Sequence, residues 1–228
     1  MKKPVISAPA ALGKFKKVLV HGPSGAGKTR FSSTWPKPIL FDIEGGSMSI
    51  DHDKDVAVVA KDQITLASLK EYIDWLATPD AKDYETVVID SLTHLQNIFL
   101  GEKLGTVPDP RMAYGQWQQY LREIMEKLFS LNKNVIVICR SKMGEDIERQ
   151  EKLFPELSPS AFTVIPALVD YAIVLTGKTT GLGNKAITEQ LGFAKHPLYW
   201  TKTRSLMLPE FKPTYSGFLE AIDGAKPN

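Results

Sequence analysis

Gly22, Pro23, Ser24, Gly25, Ala26, Gly27, Lys28 and Thr29 form a Gly-x-x-x-x-Gly-Lys-Thr run, the spacing of a loop that holds nucleotide phosphates. Glycine permits the turns that aim successive backbone N–H groups into one concavity, and such a concavity attracts anions. Lys28 adds a mobile cation for the β- and γ-phosphates, the Thr29 hydroxyl is placed to ligate Mg2+, and Arg30 follows in the helix that this loop opens. A carboxylate must complete the metal shell, and Val87, Val88 and Ile89 lead into Asp90, an acid at the end of a β-branched run. A helix N-cap is the other role open to Asp90. Ser91 follows it instead of a glutamate, so the acid that activates water must sit elsewhere if a triphosphate is hydrolysed. Glu44 suits that role: the run 38–43 has strand character, and Gly45 and Gly46 let the chain turn away and leave the carboxylate at the strand's end. Asp42, two residues earlier on the same strand face, is the alternative.

These groups need a scaffold that brings strand ends together. Apolar runs of strand length at 18–20, 39–41, 56–60, 86–90 and 135–139 are separated by helical patterns. Ile64, Leu66, Leu69, Tyr72, Ile73 and Leu76 keep a helical period, as do Tyr114, Trp117, Leu121, Ile124, Leu128 and Leu131. A helix continues from Arg30 until Pro36 stops it. The alternation predicts an α/β fold, a mostly parallel twisted sheet with helices on both faces. Residues 144–159 are polar and poorly periodic, which predicts a long mobile loop. Beyond it the pattern predicts a short helix near 161–168, a strand at 170–175, and an antiparallel C-terminal extension pairing 198–201 with 206–208. The organisation expected is an N-terminal arm over 1–15, disordered or used in oligomerisation through Val5 and Ile6, and a single ATPase domain over 16–228.

With 228 residues, 43% of them apolar, the chain is long enough for one well-buried core. A net charge of +2 does not by itself demand nucleic acid, so local clusters of cations must decide. Cys139, the one cysteine, sits in an apolar run and reads as a buried strand residue. No stretch approaches the length of a membrane span, and a cytoplasmic location is expected. His21, His52, His94 and His196 are scattered without metal-ligand spacing. Asn132-Lys133-Asn134-Val135 lacks the aspartate of a guanine-binding motif, and no arginine-rich lid of a nucleoside kinase is evident.

Beyond the phosphate loop, three stretches resemble the catalytic core of RecA-like recombinases, and more closely the small phage-encoded RecA-like proteins of single-strand annealing. Leu40-Phe41-Asp42-Ile43-Glu44 looks like the family strand that ends in its catalytic glutamate. Val87-Val88-Ile89-Asp90-Ser91-Leu92 resembles the family's Walker B strand, serine included. Tyr199-Trp200-Thr201-Lys202-Thr203-Arg204, followed by Pro209, is similar to the late segment whose two cations reach the γ-phosphate bound by a neighbouring subunit. In one place the chain departs from the family: Cys139-Arg140-Ser141 stands where the family carries an amide or imidazole that senses the γ-phosphate.

The resemblance implies ATP and Mg2+ as ligands, Lys28 and Glu44 as catalytic groups, and Lys202 and Arg204 acting in trans within rings or filaments of the chain. It also implies two loops that hold single-stranded DNA, near 101–112 with Lys103 and Arg111, and near 141–159 with Lys142, Arg149 and Lys152 and with Arg140 at its root. Phe154 or Tyr114 would offer a stacking face there. The function so implied is an ATP-dependent protein that promotes strand annealing in homologous recombination, phage-encoded, with a single-strand binding protein as a further partner. Two other readings stay open: a binding module that uses ATP as a conformational ligand with little hydrolysis, and a nucleotide-driven loader or motor without annealing activity.

Overall fold

The computed structural model describes residues 14–50, 55–180 and 187–225. The expected N-terminal arm falls almost wholly on residues 1–13, and His52 on 51–54, outside the described residues. In chain order the elements are β1 (Lys17–His21), α1 (Lys28–Ser33), β2 (Pro38–Asp42), β3 (Ala57–Val59), α2 (Leu66–Trp75), β4 (Thr86–Asp90), α3 (Leu92–Lys103), α4 (Pro110–Ser130) and β5 (Asn134–Ile138). Then come β6 (Ser141–Glu145), β7 (Glu151–Pro155), α5 (Pro159–Phe162), α6 (Ile165–Leu168), β8 (Tyr171–Thr180), β9 (Ile187–Phe193), β10 (Lys202–Thr203), β11 (Glu210–Phe211) and α7 (Tyr215–Asp223).

The main sheet runs β11-β9-β8-β1-β5-β4-β2-β3, and every pairing from β8 to β3 is parallel. Parallel strands need crossover helices, and helices on both faces bury both sides of the sheet, which is why the strand sequences are apolar throughout. Alternate residues go to opposite layers. Leu19, Ile39, Phe41, Val87, Ile89, Val135 and Val137 pack with α2, α3 and α4, where Trp117 and Leu121 are fully buried. Val18, Val20, Leu40, Val88, Ile136 and Ile138 pack instead with α1 and α7 around Phe31, Trp35 and Phe218. Each such aliphatic side chain contributes about 1.5–3 kcal/mol when withdrawn from water. The expected mostly parallel sheet with helices on both faces is what forms.

Register aligns the strand ends. Asp42 pairs with Asp90, Asp90 with Ile138, Ile138 with Val20, and Val20 with Ile173, making one row across five strands. Whatever lies one or two residues past that row emerges at a single edge, where open α/β sheets bind ligands.

Three sequence expectations are corrected. Residues 144–159 do not form a long loop: β6 and β7 pair antiparallel from Ser141↔Pro155 to Glu145↔Glu151. Asp146 shapes the turn, its carboxylate accepting from the N–H groups of Glu148 and Gln150 and pairing with Lys152 at 2.6 Å. The antiparallel extension is also built differently. β8 runs on to Thr180 and pairs with β9, β11 pairs with β9, and β10 pairs with the start of β8. Residues 198–201 do not pair with 206–208; the Leu198 carbonyl accepts from Leu153 N–H at 2.8 Å instead. The stretch 101–112 is a loop only over 104–109, because α3 continues to Lys103 and α4 begins at Pro110 behind the Asp109 cap.

Candidate functional site

β1 delivers the chain to the phosphate loop at the edge beyond the aligned row. Gly22 has φ +152°, and a Cβ there would lie 2.1 Å from the Leu175 carbonyl oxygen of β8, so only glycine lets the loop cross this close. Gly27 is left-handed at φ 78° and caps α1 without a side-chain hydrogen bond, leaving the first-turn N–H groups for an anion. Lys28 folds its ammonium back onto the loop, donating to the carbonyls of Gly22 at 3.1 Å and Pro23 at 2.7 Å.

The acids arrive from the neighbouring strands. The Thr29 hydroxyl donates to Asp90 Oδ2 at 2.6 Å, and the Ser91 hydroxyl donates to Glu44 Oε2 at 2.6 Å. The Asp90 carbonyl accepts from the N–H groups of Ile43 and Glu44 at 2.7 and 3.1 Å, tying the end of β2 to the end of β4. Asp42 is used up by the turn: its carboxylate accepts from Gly45 and Gly46 N–H at 2.9 and 2.7 Å and from Ser47 N–H at 3.1 Å. Between the two acids of that strand, Glu44 is therefore the one that faces the cleft, and Asp42 builds the turn behind it.

Ser24 to Thr29, Glu44, Asp90 and Arg140 line one cleft of ≈ 770 Å³, within the range of small-molecule sites. Burial pushes the Asp90 carboxyl up to about 6, with Glu44 and Asp42 adding to it and Thr29 and Lys28 opposing. Burial also holds the Lys28 ammonium below its ordinary range, while Asp90 and Glu44 pull it back. A desolvated carboxylate beside another acid calls for a cation. A hydroxyl and a carboxylate oxygen are hard donors that suit Mg2+, which takes few protein ligands and completes its shell with phosphate and water. No cluster of three or more His, Cys, Asp or Glu side chains that could hold a metal ion is found among the described residues. The phosphates of a nucleotide and Mg2+ thus fit the residues present.

Some lining residues were not legible in the sequence. Gln190 reaches the cleft from β9, and Pro213 and Thr214 from the segment before α7. Thr214 caps α7, and the Tyr215 N–H donates to Thr34 Oγ1 at 2.8 Å, which fixes that segment against α1. Its capping residue was the one available signal. Arg140, grouped with the DNA cations, is a wall of the nucleotide cleft and lies 2.9 Å from Glu156.

The other cations lie elsewhere. Lys202 donates to the carbonyls of Pro166 and Val169, and Arg204 pairs with Asp170 at 3.1 Å and donates to the Ala167 carbonyl, so both cap the end of α6. They sit beside Tyr171, at the opposite end of β1 from the phosphate loop. Lys142 donates to the Leu157 carbonyl and Lys152 pairs with Asp146. Arg149 is exposed at the hairpin tip with φ 59°, Arg111 is exposed in the first turn of α4, and Lys103 is the last residue of α3. Phe154 packs edge-on against Phe162, whereas Tyr114 is 38% exposed.

His21, the last residue of β1, is fully buried. Its Nε2 lies 2.7 Å from the Trp200 carbonyl oxygen, which can only accept, so Nε2 carries the proton and Nδ1 accepts from the Ser141 hydroxyl at 2.9 Å. One imidazole thereby joins the base of the phosphate loop, the root of the hairpin and the 196–204 segment. No helix among the described residues is long and apolar enough to cross a membrane.

A KaiC-like protein from the hyperthermophilic archaeon Pyrococcus horikoshii OT3 is among the solved structures that match, at 15% identity and a TM-score of 0.49, covering 79% of this chain and 80% of that one. A search of the curated proteins found no match. Residues 14–205 match the family described as an AAA domain, a span that takes in the phosphate loop, Glu44, Asp90 and Arg204. The chain belongs to that AAA-domain family.

Proposed function

We propose that the protein binds ATP with Mg2+ in this cleft, hydrolyses it, and uses the cycle to bind single-stranded DNA and promote strand annealing. The observation that supports the nucleotide half is the convergence of Lys28, the Thr29–Asp90 pair at 2.6 Å and the Ser91–Glu44 pair at 2.6 Å on one cleft behind a glycine-dependent loop. Thr29 and Asp90 would hold Mg2+, whose charge neutralises that developing on the phosphates. Lys28 leaves the loop carbonyls for the β- and γ-phosphates. Glu44, oriented by Ser91, would accept a proton from the water that attacks the terminal phosphorus in line as the bond to the β,γ-bridging oxygen breaks and ADP leaves.

The DNA half is supported by the resemblance to annealing proteins and by exposed cations, Arg149 on the hairpin tip and Arg111 on α4. Phosphate contacts by these groups make affinity fall steeply with salt. In rings or filaments, Lys202 and Arg204 would act on a neighbour's phosphate only after leaving the carbonyls they now cap. The internal partners of Lys142 and Lys152 favour a second reading, a nucleotide-driven loader or motor without annealing. A titration of a labelled single-stranded oligonucleotide across salt, with and without ATP and Mg2+, separates the two. Nucleotide-dependent binding with a steep salt slope supports annealing; no binding in any condition supports the second reading.

A further inference from the structure

We propose that the cleft seats an adenine at its β9 end, where the Gln190 carboxamide reads the edge of the base and Pro213 covers its face, so that Gln190 sets a preference for ATP over GTP. The inference rests on the nucleotide reading above and names the substrate class of that same site.

Strand order gives the cleft a direction. β1, which leads into the phosphate loop, stands between β5 and β8. Past β5 lie β4 and β2, which supply Asp90 and Glu44; past β8 lies β9, which supplies Gln190. Neighbouring strands are about 4.8 Å apart, so β9 stands about 10 Å from β1 on the side away from the acids. With Mg2+ and the terminal phosphates held among Lys28, Thr29, Asp90 and Glu44, the remainder of a nucleotide extends toward β8 and β9.

Register sets the height and the face. His21 pairs with Val174, and Gly177, three residues further along β8, pairs with Gln190. β1 and β8 are parallel, so Gln190 stands beyond the end of β1, at the edge where the phosphate loop lies. A Cβ at Gly192 would meet the Phe211 ring at 2.4 Å, and Phe211 packs with Phe31 of α1 and Phe218 of α7. Gln190, two residues from Gly192 on the same strand, shares that face with α1. Gly177 leaves it room, for Gln190 Nε2 lies 3.8 Å from where a Gly177 Cβ would stand.

The groups at this end suit adenine. Pro213 brings an apolar ring, and its segment is fixed by the Gly217 N–H on Thr214 Oγ1 at 3.1 Å and by the Tyr215 N–H on Thr34 Oγ1 at 2.8 Å. A carboxamide presents a donor and an acceptor side by side, the complement of N7 and the 6-amino group of adenine. The same edge of guanine offers two acceptors, N7 and O6, so one of the two bonds is lost. Guanine's other edge presents two donors, N1–H and the 2-amino group, which call for a carboxylate. Among the described residues that line the cleft, the carboxylates are Glu44 and Asp90, both at the phosphate end.

The test measures binding, with Mg2+, of non-hydrolysable ATP and GTP analogues and of inorganic tripolyphosphate to the full chain and to Gln190→Ala, Gln190→Glu and Lys28→Ala. Gln190 is exposed, so its substitution leaves the core intact. The wild type is expected to favour the ATP analogue, and Gln190→Ala to lose affinity for it roughly ten- to a hundredfold, with a much smaller change for the GTP analogue and for tripolyphosphate. Gln190→Glu, whose carboxylate accepts from both guanine donors, moves the preference toward the GTP analogue. An ATP-to-GTP affinity ratio equal to that of the wild type in either Gln190 variant overturns the proposal. Tripolyphosphate binding that survives Lys28→Ala at wild-type strength would instead remove the nucleotide reading, whereas its loss there leaves that reading standing whatever the base ratio shows.

Discussion

Asp42 and Glu44 stand two residues apart at one strand end, yet one is bound by three backbone N–H groups and the other faces the cleft with a serine hydroxyl on it. Their substitutions therefore separate. Glu44→Gln keeps the shape and removes the base, so nucleotide binding holds while turnover falls about 10²–10⁴-fold. Asp42→Asn weakens the turn's acceptor and costs about 1–3 kcal/mol of stability, read as a shift of the urea midpoint. His21 gives a pH signature. Burial pushes its imidazole down to about 4, against 6.5 in the unfolded chain, so between those values the unfolded state takes up a proton that the native state refuses. Stability falls as pH drops through that window, by up to about 3 kcal/mol. His21→Gln removes the titrating group, and denaturation at pH 5 and pH 7 should show a smaller difference than in the wild type; an equal difference would place the acid sensitivity elsewhere.

At the scale of elements, the phosphate loop depends on how closely β1 and β8 run. Gly22→Ala sets a methyl 2.1 Å from a backbone oxygen that cannot swing aside, so the loop must shift. It is expected to abolish nucleotide binding and to lower the melting temperature. Gly192→Ala meets the Phe211 ring at 2.4 Å, a side chain that can be displaced, and costs about 1–3 kcal/mol without touching the phosphate loop. The same contrast explains what the sequence showed. β1, β2, β4 and β5 are buried on both faces, so each reads as a continuous apolar run, and the acids at their ends could be located by counting. β3, with only its middle residue well exposed, read almost as clearly. Hairpin β6–β7 is solvated along most of its length, and its charged residues hide the alternation. β9 was hidden for the same reason, and with it went Gln190 as a wall of the cleft. Arg140 was grouped with the DNA cations because its neighbours Ser141 and Lys142 begin the hairpin; register puts it two residues past Ile138, the partner of Val20 and Asp90, at the nucleotide edge.

For the whole molecule, the sheet makes one edge where a phosphate loop, two acids and a second cation meet, while the hairpin and the 196–204 segment are joined to that edge through His21. A ligand that binds only the folded chain raises its stability by mass action, so ATP with Mg2+ should raise the melting temperature of the wild type and not of Lys28→Ala. The most direct test of the central claim is steady-state ATP turnover with Mg2+, in the wild type and in Lys28→Ala, each with and without single-stranded DNA. Measurable turnover that needs Mg2+ and falls at least about a hundredfold in Lys28→Ala is the result expected. Equal turnover in the two proteins would contradict it.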